Sequence, residues 1–329
     1  MSDHRAAQER WNRYWEHGFL TSCAGAFSGN YQGTLKSVWE RFVAGCPKGA
    51  RVLDLCTGNG AIAMIANEIS RARSLELDIH AIDSAVIKPL ATVRQDRDLL
   101  EGIHFYSETP AESTPFPDRH FLAITGQYAF EYTSEDGCIA ELARITAPGG
   151  RLQLVIHHTD SVVIETSREE LRNGAIIVDE TRIFDLARDL MTRVGAARTP
   201  AEKRALSGDA DAESRRAALN RAAERLSRAA GSSPHPELLH LALERISGAW
   251  RALEQGVDPA LERLAAGQAD LEANLARLED LIAAARSPED IRRITGKLAA
   301  AGFRVEPVEA LRHDDGPLMG WLLQARLPD

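Results

Sequence analysis

The chain has 329 residues, 44% of them hydrophobic and 26% charged, which predicts a folded globular protein rather than a disordered one. Lysine and arginine number 39 against 48 aspartates and glutamates, a formal net charge of −9 that argues against a long nucleic acid as the main partner. Four scattered cysteines (Cys23, Cys46, Cys56, Cys138) make no C-x-x-C pair, the first residues are polar, and no apolar run approaches the roughly 18 residues of a membrane span. The expectation is a cytoplasmic protein with no metal, membrane or nucleic-acid partner.

Residues 5–17 place Trp11, Tyr14 and Trp15 at helical spacing, an aromatic face suited to core packing or to a lid. A glycine-rich stretch, Gly25 to Gly33, interrupts before a second helical run that ends at Gly45-Cys46-Pro47. From Arg51 the pattern alternates. Val52–Leu55 reads as a strand, Gly58-Asn59-Gly60 as a turn and Ala61–Ser70 as a helix. Leu77–Ile82 (strand), Ser84–Arg94 (helix), Ile103–Ser107 and Phe121–Thr125 (strands) follow. Ser134–Thr146 reads as a helix opened by Ser134, and Arg151–His157 as a fifth strand. Strands separated by helical segments of about ten residues predict a parallel sheet covered on both faces.

After Thr159 the strand signals stop. Ser167 and Glu170 have capping-box spacing ahead of a helix, with a break expected around 174–181. Leu239, Leu243, Ile246, Trp250 and Leu253 then step by four and three. Leu261, Leu264, Leu271, Leu275, Leu278 and Ile282 take seam positions, with Gln268 as the polar intruder. The two segments predict an antiparallel helical hairpin with coiled-coil packing. The longer seam calls for another partner, either the Arg-rich segment 215–228 or a second copy in a homodimer, which a polar seam residue favours. Ser287-Pro288 opens a last helix, and Phe303–Ala310 with Pro317–Leu327 forms a returning strand pair. The expected organisation is an N-terminal segment 1–50, a sheet domain of 51–158 with 288–329, and a helical insertion 159–287.

The stretch V-L-D-L-C-T-G-N-G-A-I-A, residues 52–63, runs from a strand through a glycine turn into a helix. Such a turn lets a ligand approach the backbone closely, and Gly58-x-Gly60-x-x-Ala63 alone also fits a dinucleotide site. Asp54 separates the two readings: a carboxylate ending the strand would repel a pyrophosphate and favour a ligand with a cationic amino-acid end. The stretch resembles motif I of the class I S-adenosylmethionine-dependent methyltransferases. The resemblance continues at Asp83 in H-A-I-D-S, at A-E-S-T-P-F-P-D (111–118) followed by Phe121, at E-L-A-R-I-T-A-P-G-G-R-L (141–152), and at G-F-R-V-E from Gly302.

The resemblance implies a Rossmann-like, doubly wound, mostly parallel α/β sheet, with the helices inserted between strands five and six. It implies S-adenosylmethionine as cofactor and S-adenosylhomocysteine as product. Asp54, Cys56, Gly58, Asn59, Gly60, Asp83, Ser84, Ala111, Glu112, Gln127 and Tyr128 would hold them, Asp83 taking the ribose hydroxyls. The chain departs from the family pattern at Cys56, where Gly is usual, and at Pro110 and Leu122, where Asp is usual. Glu112 or a backbone group is left to meet the adenine.

Residues 125–132, T-G-Q-Y-A-F-E-Y, lack the family's N-P-P-Y or D-P-P-Y clamp, which disfavours amide and nucleobase acceptors. Tyr128 and Glu131, with Tyr132, are the candidates for orienting a substrate. His157 and His158 are the candidate bases, because an imidazole titrates near neutrality. As strand neighbours they face opposite ways, so only one enters a pocket and the pair makes a poor metal site. The expected function is methyl transfer to an O, N, S or C atom of a small metabolite. A peptide or protein acceptor comes second, and a non-catalytic S-adenosylmethionine-binding scaffold or regulatory module third.

Overall fold

Apolar strands separated by amphipathic helices leave the chain one economical solution, a sheet buried on both faces. The computed structural model describes residues 2–22, 29–197, 199–314 and 316–329; Cys23 and the first part of the glycine-rich stretch lie outside them. Helices α1 (Ser2–Glu16) and α2 (Gly33–Ala44) precede β1 (Arg51–Asp54). Then come α3 (Ala61–Arg73), β2 (Asp78–Ile82), α4 (Pro89–Thr92), β3 (Ile103–Tyr106), β4 (Phe121–Gln127), α5 (Glu135–Ile145) and β5 (Thr146–Ile156). The helices α6 (Val162–Ala175), α7 (Ile183–Gly195), α8 (Pro200–Ala205), α9 (Ala210–Ser232), α10 (Glu237–Ala252) and α11 (Val257–Ala284) follow. The chain closes with α12 (Pro288–Ala300), β6 (Arg304–Val305), β7 (Glu309–Arg312) and β8 (Leu318–Arg326).

The sheet runs β3-β2-β1-β4-β5-β8-β6, with β7 also pairing β8. Strands β1 to β5 pair in parallel, and β8 is antiparallel to its neighbours. This is the Rossmann-like arrangement that the motifs imply. On one face α5 and α12 bury Leu142, Ile145, Ile294 and Leu298 against the sheet. On the other, α2 and α3 bring in Val43, Met64, Trp39 and Ile65. Each such side chain removed from water contributes roughly 1.5–3 kcal/mol. Strand order reverses between β1 and β4, and ligands of open α/β sheets bind beyond the carboxyl ends of the strands at that point.

The chain divides into two units, residues 1–164 with 281–329, and residues 165–280. The second is all helical and has its own core, in which Ile177, Phe184, Met191, Leu226, Leu239 and Leu264 are buried. Leu271 joins that core, and Leu261 and Leu275 pack against it. A Cβ on Gly174 would lie 2.3 Å from Leu275 Cδ2, so this glycine lets α11 approach α6 closely. Gln268 accepts a hydrogen bond from Arg188 Nη2 of α7, at 2.5 Å. The polar seam residue thus has hydrogen-bond partners within the same chain, Arg188 and Glu272.

Several local expectations change. The helix expected over Ser84–Arg94 shrinks to the single turn α4, because Pro89 holds Lys88 out of the helical region (φ −140°, ψ 59°). Ser167 lies inside α6 rather than at its start; Ser161 is the capping residue, its Oγ accepting from Ile164 N. Ser134 precedes α5 without a side-chain cap. The break expected around 174–181 is a π-helical turn, Ile176–Glu180, followed by Arg182 in the left-handed region (φ 49°). Among the described residues no helix is long and apolar enough to cross a membrane, and no His, Cys, Asp and Glu group is arranged to hold a metal.

Candidate active site

Beyond β1 the backbone turns through three left-handed residues, Cys56 (φ 46°), Gly58 (φ 55°) and Gly60 (φ 92°), before entering α3. Cys56 adopts a conformation that costs a side-chain-bearing residue roughly 1–2 kcal/mol. That cost gives a physical reason for the glycine usual at this place. A Cβ on Gly58 would lie 2.4 Å from the ring of Trp15, so the indole packs directly on the turn. Gly58 N donates to Asp83 Oδ2 at 2.8 Å, and Ala85 N donates to Asp83 Oδ1 at 2.8 Å. Asp54 accepts from Thr125 Oγ1 at 2.8 Å and from Thr57 Oγ1 at 2.6 Å. Burial pushes Asp54 up to about 7 and Asp83 up to about 6, and these hydrogen bonds offset only part of the shift.

Both carboxyls line one cavity of about 860 Å³, its open mouth included. Cys56, Thr57, Ser84, Pro110, Ala111 and Glu112 line it as well. Gln127, Tyr128, Tyr31 and Ile62 line it too, and Trp11, Trp15 and Tyr132 add aromatic surface. Among the described lining residues there is no Lys, Arg or His. Glu112 Oε1 also accepts from Ser134 N, so this carboxylate holds the start of α5 as well as facing the cavity.

Asn59, expected at the ligand, turns elsewhere. Its Nδ2 donates to Trp15 O and Phe19 O, which ties the end of α1 to the glycine turn. Asn12 Oδ1 accepts from Val86 N, and Gln8 Nε2 donates to Ser84 O. Three polar side chains thus moor the aromatic helix beside the cavity. Gly58 and Gly60 shape the turn without lining the cavity.

The candidate bases lie apart from it. His157 is fully buried and stacks on Tyr128, with centroids 4.0 Å apart; its backbone N donates to Glu131 Oε1 at 2.7 Å. Burial pushes Glu131 up to about 7. His158 stacks on Trp321, accepts at Nδ1 from Asp160 N, and burial lowers its pKa. Of the candidates His157, His158, Tyr128, Glu131 and Tyr132, the two tyrosines face the cavity, and the Tyr128 hydroxyl donates to Met319 O at 3.0 Å. Sequence reasoning missed Tyr31 and Ile62 as lining residues, and Thr57 and Thr125 as the groups that hold Asp54. Thr57 stands inside the quoted glycine motif and was there to be read; Thr125 meets Asp54 only through the pairing of β1 with β4.

Residues 53–154 match the family model described as a methyltransferase domain. The ubiquinone/menaquinone biosynthesis C-methyltransferase UbiE of Shewanella piezotolerans is 30% identical over 122 residues, covering 36% of this chain and 48% of that protein. Its counterpart from Serratia proteamaculans is 28% identical over 135 residues, or 40% and 53%. The solved structure of a geranyl diphosphate C-methyltransferase from Streptomyces coelicolor A3(2) is similar at 15% identity. Its TM-score is 0.34, over 45% of this chain and 65% of that one. The chain spans about half the length of the curated relatives it matches. The matched stretch covers β1 to the greater part of β5 and carries the glycine turn, Asp54 and Asp83. It is a methyltransferase domain of the class I type.

Proposed function

We propose that the protein transfers the sulfonium methyl of S-adenosylmethionine to a nucleophilic oxygen, nitrogen, sulfur or carbon atom of a small metabolite, releasing S-adenosylhomocysteine. The observation that carries this reading is the pair Asp54 and Asp83, two buried carboxyls in a cavity without a cationic side chain among its described lining residues. Such a cavity suits a ligand that brings a positive charge and hydroxyl donors of its own. In this reading Asp54 meets the ammonium of the cofactor's amino-acid end. Asp83, already held by two backbone N–H groups, meets the ribose hydroxyls. Pro110, Ala111 and Glu112 lie along the adenine edge. The left-handed turn at Gly58 and Gly60 admits the ligand close to the backbone.

Bound there, S-adenosylmethionine supplies an electrophilic methyl carbon. The chain's own part is to hold a nucleophile in line with it and to exclude water. Trp11, Trp15 and Tyr132 offer flat apolar surface for an acceptor, and Tyr128 closes the side next to His157. Because neither imidazole lines the cavity, the reading assigns catalysis to proximity and orientation, which supply up to about 7–11 kcal/mol in well-aligned reactions. The names of the curated relatives, C-methyltransferases of quinone biosynthesis, support a carbon acceptor on a small apolar molecule.

The test is direct. Calorimetric titration should show S-adenosylhomocysteine binding to the wild-type chain. Incubation with methyl-tritiated S-adenosylmethionine and a cell extract should put the label in the small-molecule fraction. Label in the protein fraction would move the acceptor to a peptide, and failure to bind S-adenosylhomocysteine would overturn the reading.

A further inference from the structure

Away from the cavity, three imidazoles meet on the outer strands of the sheet. His80 on β2 is the register partner of His104 on β3, and their ring centroids lie 5.1 Å apart. His120, just ahead of β4, packs edge to face on His80 at 6.1 Å. His80 is 8% exposed, with Phe116 and Phe121 edge-on to its ring, and none of the three histidines lines the cavity. Alternation along β2 puts Asp78 on the same face as His80. Its Oδ1 lies 3.1 Å from His80 Nε2 and 3.5 Å from His104 Nε2. Its Oδ2 lies 3.4 Å from Nε of Arg51, on β1. On the other side of the ring, His80 Nδ1 lies 3.0 Å from the Tyr106 hydroxyl of β3. A proton on Nε2, toward Asp78, leaves Nδ1 to accept from that hydroxyl.

The charge balance of this cluster depends on pH. With neutral rings, one carboxylate faces one guanidinium. Each imidazole that takes up a proton adds a positive charge near Arg51, and Asp78 is the one acid among the described groups around His80. Beyond Phe116, Arg144 is already paired with Glu141 and Asp118. Burial holds the pKa of His80 below its ordinary 6.5; Asp78 pulls it up, while His104 and Arg51 push it further down. Burial, Arg51 and His80 lower that of His120. The cluster also sits where β3 is fastened. That strand ends the sheet and pairs with β2 alone, and its Tyr106 O accepts from Asp83 N.

We propose that His80, His104 and His120, set around the single carboxylate of Asp78, form an acid-sensitive latch. It holds the edge strand β3 on β2 while the rings are neutral and loosens it when they are protonated. The folded chain takes up the His80 proton less readily than the unfolded chain. The stability this contributes is therefore full above about pH 6.5 and is lost as pH falls from there through the folded value. Asp54 and Asp83 contribute with the opposite sign, so the latch is read as a difference between strands and between variants. It acts on the fold, whatever ligand the cavity takes.

The experiment follows the histidine ring signals by NMR and amide hydrogen exchange on the full chain, between about pH 7.5 and about pH 5. His80 should titrate below 6.5. The opening free energy of the β3 amides should fall with pH relative to that of the β4 amides. His80→Gln puts an uncharged side chain in place of the ring, and β3 opening should lose this pH dependence. In urea unfolding the variant should gain on wild type as pH falls, tenfold in the folding equilibrium for each unit separating the folded and unfolded pKa of His80. Asp78→Asn removes the carboxylate and should move the His80 titration further down, which burial alone would not do. His80 titrating at or above 6.5, or β3 opening in step with β4 at every pH, overturns the latch in wild type, without needing any variant to fold. An unchanged His80 titration in Asp78→Asn overturns it as well.

Discussion

The imidazole of His157 lies flat on the phenol ring of Tyr128, with centroids 4.0 Å apart and planes 1° from parallel. Tyr128 lines the cavity and His157 does not, so the pair couples the site to the core rather than exposing a base. His157→Asn should remove the stack and lower stability by about 1–2 kcal/mol. Once an acceptor is known, it should leave the pH dependence of kcat unchanged. Loss of a neutral-pH limb in that profile would restore His157 as a base.

The buried acids predict a pH dependence of binding. Asp54 and Asp83 titrate at about 7 and about 6 in the folded chain, above the ordinary 3.8. Across that window the folded state holds protons that the unfolded state has released. Their stabilising contribution is full below about pH 4 and is lost as pH rises through both folded values. A ligand ammonium and hydroxyl donors favour the charged carboxylates, so affinity for S-adenosylhomocysteine should rise between about pH 5.5 and about pH 8 with proton release. Titrations in buffers of different ionisation enthalpy count those protons. A pH-independent affinity with no release would contradict the assignment.

Removing Asp83 tests the other end of the ligand. Asp83→Ala takes away the acceptor for Gly58 N and Ala85 N as well as for the ribose. It should cost about 1–3 kcal/mol of affinity for S-adenosylhomocysteine and a similar amount of stability. An unchanged dissociation constant would remove Asp83 from the site.

Gly58→Ala sets a methyl group against Trp15 at a backbone angle of φ 55°. The strain alone should cost roughly 1–2 kcal/mol, and the clash adds to it. Trp15→Ala relieves the clash but not the strain, so the double variant should be less destabilised than the sum of the singles. Strict additivity in thermal unfolding would show that the indole does not pack on the turn.

Within the helical unit, Gln268→Leu should cost Arg188 a hydrogen-bond partner and change stability by about 1 kcal/mol. Sedimentation velocity should give the same coefficient for wild type and variant. A change in association state on this substitution would return Gln268 to an interface between copies.

The order of the sheet was legible because each motif carries its own position in the fold. The glycine turn marks the end of β1, Asp83 the end of β2, and P-G-G the entry to β5. What stayed hidden depended on residues far apart in sequence. Nothing in the local pattern says that Trp39 meets Gln127, or that Asn59 reaches back to Trp15. His157 and His158 looked catalytic because strand ends in such folds face the ligand. Yet Tyr128 and Trp321 take up their rings, and no periodicity announces a stack between β4 and β5 or between β5 and β8. The helix expected after Asp83 failed for a local reason, Pro89, which the spacing of apolar residues had outweighed.

The backbones of His158 and Arg286 run side by side, Arg286 N donating to His157 O and Thr159 N to Arg286 O. The chain therefore leaves the sheet and returns to it at one place, which bears on the order of assembly. Pairing Arg151 with Arg326 across β5 and β8 closes a loop that contains the whole helical unit. Closing so long a loop of unstructured chain is slow and entropically costly. Helices built from near-neighbour contacts can form first and shorten the unstructured part of that loop. During synthesis β5 then waits for β8 with its hydrogen-bonding edge unpaired while the intervening helices emerge. That open edge is a place where other chains could pair with this one as it leaves the ribosome.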